Sequence, residues 1–265
     1  MTVILQVSDP HFGTEQRPVV EALVELSHRL APDLLILSGD ITQRARTAQF
    51  SAAAAFVRRL QVPHVLAVPG NHDLPLFDLA TRVLDPYAGF KRIFGAELEP
   101  TWRSADCLVL GVKTTRRYRH VDGEISHEQR ARVSGELLKA APAQLRVIVL
   151  HQPIAVPRHS EDKNLVHGHA EAVQAWSRAG ADIILAGHIH LPFVLALHDG
   201  AALPRPIWAV NAGTAVSHRV RQDAGNSVNV LRTAQPPAAG RCTVEHWSYS
   251  GVGSGFVCSA QLPLC

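Results

Sequence analysis

Val65-Leu66-Ala67-Val68-Pro69-Gly70-Asn71-His72-Asp73 is an apolar run that gives way abruptly to turn-forming and polar residues. A run this short, closed by Pro and Gly, reads as a buried strand. It delivers an amide, an imidazole and a carboxylate to one loop. Such side chains can bind metal, transfer protons, or both.

Other apolar runs end in the same way. Val3-Ile4-Leu5-Gln6-Val7 leads into Ser8-Asp9-Pro10-His11, and Leu34-Leu35-Ile36-Leu37 into Ser38-Gly39-Asp40. Arg146-Val147-Ile148-Val149-Leu150 leads into His151, and Asp182-Ile183-Ile184-Leu185-Ala186 into Gly187-His188-Ile189-His190. Between the first three runs, Arg17–Leu30 and Thr47–Leu60 carry apolar residues at helical spacing, giving the order β-α-β-α-β. Helical crossovers imply parallel strands and right-handed connections, so the carboxyl ends of the strands gather on one edge, where ligands bind.

The rest of the chain is read more coarsely. Residues 76–95, broken by Pro75, Pro86 and Gly89, suggest a loop-rich cap beside the site. A strand at 107–112 precedes the basic stretch Arg116-Arg117-Tyr118-Arg119-His120, which is either a solvated turn or a phosphate-facing loop. Residues 126–140 form an amphipathic helix with Ser126 as N-cap, 153–169 a candidate lid, and 170–179 a helix closed by Gly180. Beyond His190, segments 193–197, 207–211, 227–232 and 241–247 read as strands of an antiparallel sheet, with turns at 236–240 and 251–255.

At 265 residues and 46% hydrophobic, the chain can bury a large core, and ligands spread from Asp9 to His190 favour one domain over 1–265. A formal charge of only +3, without a long basic run, argues against long nucleic acid as a partner. Met1-Thr2 leads straight into a strand and no apolar run is long enough to span a bilayer, so neither a signal peptide nor a membrane partner is expected and a cytoplasmic location is. Cys107, Cys242, Cys258 and Cys265 lack metal-binding or redox spacing and read as reduced cysteines. Among fifteen histidines, those such as His28, His64 and His198 read as surface or core residues, and only the strand-end ones carry weight.

No packing requirement crowds Asp9, His11, Asp40, Asn71, His151, His188 and His190 onto one edge. Carboxylate, amide and imidazole donors without thiolates suit Mn, Fe or Zn, and seven donors suit two ions better than one. Two such ions, roughly 3.5 to 4 Å apart, can share a carboxylate, activate water and clamp an oxyanion during in-line displacement, which is machinery for cleaving phosphoesters.

Asp9-x-His11, Gly39-Asp40, Gly70-Asn71-His72-Asp73, His151 and Gly187-His188-x-His190 together resemble the five signature blocks of the calcineurin-like metallophosphoesterases. The resemblance implies an α/β fold, a four-layer α-β-β-α sandwich, with a centre of two divalent transition-metal ions at the strand ends. It assigns Asp9, His11 and His190 to one ion and Asn71, His151 and His188 to the other, with Asp40 bridging. It makes a bridging hydroxide the nucleophile and His72 the group that protonates the leaving alkoxide or stabilises phosphate charge, with Asp73 orienting it. His151-Gln152-Pro153 and the block 187–192 look closest to the bacterial cyclic-nucleotide phosphodiesterase (class III) branch, although many members carry a second His at the position of Gln152.

The expected substrate is therefore a small phosphodiester, such as a cyclic nucleotide, held by Asn71, His72 and the arginines Arg219 and Arg221. For those arginines a surface salt bridge is the other reading. A broad phosphomonoesterase or protein phosphatase is the rival enzyme, and a non-catalytic metal-bound binding module the rival of another class. A homodimer is a possible assembly.

Overall fold

The computed structural model describes residues 1–76, 78–197, 203–221, 224–233 and 242–264. His198, the 236–240 turn, the first residue of the 241–247 strand and Cys265 lie outside them. The expected opening forms as β1 (Val3–Val7), α1 (Arg17–Leu30), β2 (Leu34–Ser38), α2 (Thr47–Leu60) and β3 (His64–Val68). β1, β2 and β3 pair in parallel, with Leu5 opposite Leu35 and Ser38 opposite Val68. α1 stops at Ala31, whose left-handed φ of 44° caps the helix before Pro32.

Residues 76–95 hold two short helices, α3 (Leu79–Leu84) and α4 (Ala88–Phe94), where the sequence suggested loop. The Asp78 side chain caps α3 through the Thr81 amide at 3.0 Å, and Phe90 buries α4 in the core. Next come β4 (Thr101–Arg103), β5 (Cys107–Gly111), α5 (His127–Leu138), β6 (Leu145–Val149), α6 (His169–Ala179) and β7 (Ile183–Ala186). The last strands are β8 (Phe193–Ala196), β9 (Trp208–Asn211), β10 (Ser227–Thr233), β11 (Cys242–Tyr249) and β12 (Phe256–Leu264).

Two six-stranded sheets result, in the orders β12-β11-β10-β1-β2-β3 and β4-β5-β6-β7-β9-β8. The strands after His190 therefore do not form one antiparallel sheet. β8 and β9 complete the second sheet, where β9 runs parallel to β7, while β10 crosses to pair antiparallel with β1. Hairpin spacing speaks of neighbours in sequence and cannot tell which sheet receives them.

The period-2 alternation of each strand builds the layers. Val3, Leu5 and Val7 pack under α1 and α2 with Leu35, Leu37 and Phe50. Ile4, Leu34, Ile36 and Val68 face the other sheet, against Val109, Val147, Val149 and Leu185. Leu108, Ile148 and Ile184 in turn pack under α5 and α6 with Trp176. Burial on both faces explains why these strands read as unbroken apolar runs. The architecture is the α-β-β-α sandwich, and its parallel strands all end at the edge that carries the polar residues. No helix among the described residues is long and apolar enough to cross a membrane.

Candidate metal centre

The loops after five parallel strands converge on one cluster. Among its members Asp9, His11, Asp40, His188 and His190 all have positive φ, from 44° to 69°. Such a conformation costs a non-glycine residue of the order of 1–3 kcal/mol and persists only where surroundings enforce it. Glycines make room: a Cβ on Gly70 would lie 2.1 Å from the Asp40 amide nitrogen, and one on Gly187 would lie 1.9 Å from Ser8 Oγ and 2.5 Å from Asp9 Oδ2.

Two overlapping donor sets follow. In the first, His190 Nε2 lies 3.5 Å from Asp9 Oδ1 and 3.2 Å from His11 Nε2. In the second, His151 Nε2 lies 3.2 Å from both Asp40 Oδ1 and Asn71 Oδ1, and His188 joins Asp40 and His151. Asp40 Oδ2 also reaches to 3.7 Å from His11 Nε2, so this carboxylate spans both sets. His72, whose Nε2 is 4.0 Å from Asp40 Oδ2, lies within ligand reach of His11 and Asp40 too.

A supporting shell holds these side chains. Asp9 Oδ2 accepts from Ser8 Oγ at 2.6 Å and from the His188 amide at 3.0 Å. His151 Nδ1 donates to the Ser38 carbonyl at 2.9 Å, and His190 Nδ1 is held by the Arg219 carbonyl and by Thr214 Oγ1 at 2.7 Å. With Nδ1 donating to a carbonyl, the other ring nitrogen is left as the ligand atom.

Burial dominates the electrostatics. It drives His11 down to about 2 and His188 to about 3, so both stay neutral and able to bind metal. Burial also raises Asp9, with Asp40 adding to the effect against His190 and His151. It opposes ionisation of Asp40, yet His151, His72 and His11 hold this carboxyl well below its usual value. Burial likewise works against charge on His151, but Asp40 and Asp9 outweigh it and lift the pKa to about 9. Asp9 Oδ1, His11 Nδ1 and His188 Nδ1 are buried with no hydrogen-bond partner. Asp9 Oδ1 faces His190 Nε2 in the first donor set, and an orphaned buried carboxylate oxygen there fits a cation that completes the charge balance.

The same fold covers 99% of this chain and 98% of a dimetal phosphatase from Danio rerio, at a TM-score of 0.69 and 11% identity. A family model described as calcineurin-like phosphoesterase matches residues 2–192. The chain belongs to that family. It is a metal-dependent phosphoester hydrolase of a family that uses a dimetal centre. A probable cyclic nucleotide phosphodiesterase from Fibrobacter succinogenes is 35% identical over 91 residues, 29% of this chain and 35% of the length of that relative. A probable glycerophosphodiester phosphodiesterase from Arcobacter nitrofigilis is 21% identical over 259 residues, covering 93% of this chain and 89% of the relative.

In this phosphoesterase the expected donors all come together, but the roles expected of Asp73 and Arg221 need correction, and the open reading of 116–120 narrows to one of its alternatives. Asp73 does not orient the His72 ring. Its carboxylate accepts from the amides of Ile41, Thr42 and Gly70 at 2.7–3.1 Å and from Thr42 Oγ1 at 2.9 Å, which ties the loops after β2 and β3 together. Burial, with Asp40 nearby, raises its pKa to about 6 against those hydrogen bonds. The His72 ring is instead held through Nδ1 by the Gln43 carbonyl at 2.9 Å. Arg221 pairs with Glu161 at 2.9 Å, which joins it to the 153–169 segment and offsets its charge. The basic stretch 116–120 is pinned locally, Arg116 by Gln129 and Arg119 by Glu124, and behaves as a turn.

Arg219 is half-buried, and its guanidinium donates to Gln43 Oε1 at 2.9 Å. Gln152 is buried and bonded to Thr114 and to the Val121 carbonyl, a packing role. Gln6, inside an apolar run, donates to the Ala186 carbonyl at 3.0 Å and so links the two sheets beneath the site. Neither Gln6 nor Gln43 could be singled out by composition, since a lone glutamine looks alike on a surface and in a network.

Proposed function

We propose that this phosphoesterase hydrolyses small phosphodiesters, with a nucleotide such as a cyclic nucleotide as the preferred class. Asp9, His11 and His190 would hold one divalent ion and Asn71, His151 and His188 the other, with Asp40 within reach of both; Mn, Fe or Zn would suit this donor set. The observation that carries the reading is Asp40, whose carboxylate is shared between two donor sets. When bound, the two ions supply the Lewis acidity that activates water and polarises the phosphoryl group.

The chain supplies the rest. His72 is 24% exposed while His11, His151 and Asp9 are fully buried, which suits a group that meets substrate at the mouth of the site. Because its Nδ1 donates to a carbonyl, Nε2 faces the cluster and, when protonated, gives its proton to the leaving oxygen. Arg219 presents its guanidinium to a phosphate oxygen. Asp73 braces the loop that carries Asn71 and His72.

Both relatives are named as probable phosphodiesterases, which supports the diester class over phosphomonoesters. The reading takes residues 1–265 as one domain in the cytoplasm, with the uncharged edge strand β12 available for a homodimer. Metal-loaded protein should be assayed on cyclic AMP, a glycerophosphodiester, bis(p-nitrophenyl) phosphate and p-nitrophenyl phosphate. Faster turnover of the diesters supports the proposal. Faster turnover of the monoester replaces it with a phosphomonoesterase or protein phosphatase, and no turnover at full metal content leaves a binding module.

A further inference from the structure

One residue outside the ligand sets touches both groups placed on the substrate. Gln43 lies in the loop after β2, where its amide donates to the Phe12 carbonyl at 3.0 Å. Its own carbonyl accepts from His72 Nδ1 at 2.9 Å, and its side-chain Oε1 accepts from Arg219 Nη1 at 2.9 Å. The Arg219 carbonyl in turn accepts from Thr214 Oγ1 at 2.9 Å and from His190 Nδ1. The backbone of Arg219 is thus fixed to the cluster, and its side chain is fixed to Gln43.

The neighbouring arginine shows what an amide does differently. Arg221 is held by the carboxylate of Glu161, which offsets its charge, whereas Arg219 is held by a neutral oxygen. Among the described residues no carboxylate pairs with Arg219. A guanidinium has five N–H donors, and Gln43 occupies one. The others, with the whole positive charge, remain for an anion.

We propose that Gln43 is a positioning residue that fixes the Arg219 guanidinium through a neutral acceptor, so that its direction is set while its charge stays available to the substrate phosphate. The proposal rests on the phosphoester reading above. It separates two variants that a purely structural role would not. Gln43→Ala removes the acceptor, while Gln43→Glu keeps an acceptor, a stronger one, and cancels the charge. If Gln43 only braced the loop, glutamate would serve as well as glutamine.

The experiment measures inorganic phosphate binding by calorimetry and kcat and KM for bis(p-nitrophenyl) phosphate and cyclic AMP, with metal content and thermal midpoint as controls. Gln43→Glu should weaken phosphate binding and raise KM by about 10-fold, the scale of one charge-assisted contact, at unchanged metal content. The loss should be equal for both leaving groups, because the carbonyl of residue 43 still holds His72. Gln43→Ala should weaken phosphate binding in the native background and add nothing in an Arg219→Ala background. The proposal is overturned if Gln43→Glu matches wild type, if the Gln43→Ala effect persists without Arg219, or if the loss depends on the leaving group. Should the wild type hydrolyse neither diester, the phosphoester reading fails on its own, and phosphate binding still decides the coupling of Gln43 to Arg219.

Discussion

His72→Ala separates proton donation from metal binding. The ring contributes one hydrogen bond, to the Gln43 carbonyl, and lies partly in solvent, so its loss should cost about 1 kcal/mol of stability or less. Its Nε2 is 4.0 Å from Asp40, against 3.2 Å for His151, and both donor sets remain complete without it. Metal content should therefore hold at the wild-type value. The rate should not. Expulsion of a ribose alkoxide needs a proton in the transition state, and a positioned imidazolium contributes about 10²- to 10⁴-fold, or about 3 to 5 kcal/mol. A p-nitrophenolate leaves without that help, so its kcat/KM should fall less than about 10-fold. The assay is kcat/KM on cyclic AMP and bis(p-nitrophenyl) phosphate beside elemental analysis. Equal losses on both substrates would refute proton donation, and the loss of an ion would make His72 a ligand.

Asp40→Ala should strip both ions and cut the rate by at least about 10³-fold, because it removes the carboxylate shared by His11 and His151; normal metal content by elemental analysis would contradict this. Gly187→Ala forces a methyl group against Ser8 and Asp9 and should weaken metal binding by about 10- to 100-fold in a competition titration, whereas an unchanged isotherm would show that the Asp9 network yields freely. Asp106, far from the site, accepts from Thr2, from Ser104 at 2.8 Å and from Thr233 at 2.6 Å, and although burial opposes it these hydroxyls depress its pKa. A depressed carboxyl stabilises the fold above its unfolded pKa and loses that contribution as pH falls through the folded value. Asp106→Asn should therefore cost about 1–2 kcal/mol in urea unfolding at pH 7, and the gap from wild type should narrow toward pH 3; a constant gap would refute the linkage.

The layers and the cluster of strand-end donors were legible because each rests on a local pattern. Continuous apolar runs announced strands buried on both faces, and Asp9, Asp40, His151 and His188 stood where those runs stopped. What the pattern could not carry was tertiary choice. β9 and β10 look alike as short apolar segments, yet one extends the second sheet beside β7 and the other joins β1 in the first. The helices at 79–94 were hidden by Pro86 and Gly89, and are fixed by the Asp78 cap and by the burial of Phe90. Adjacency in sequence pairs Asp73 with His72, but the tight turn at Asn71–Asp73 sends its carboxylate to the Ile41 and Thr42 amides. The partner that does hold the ring, Gln43, lies 29 residues away and contributes a backbone carbonyl, an atom that every residue type provides.

The central claim is a pair of metal ions sharing Asp40. Its most direct test is equilibrium titration of metal-depleted protein with Mn, followed by elemental analysis after removal of free ion. The account predicts two ions per chain in the wild type. Saturation at one ion per chain, with folded protein and full phosphoesterase activity, would contradict it.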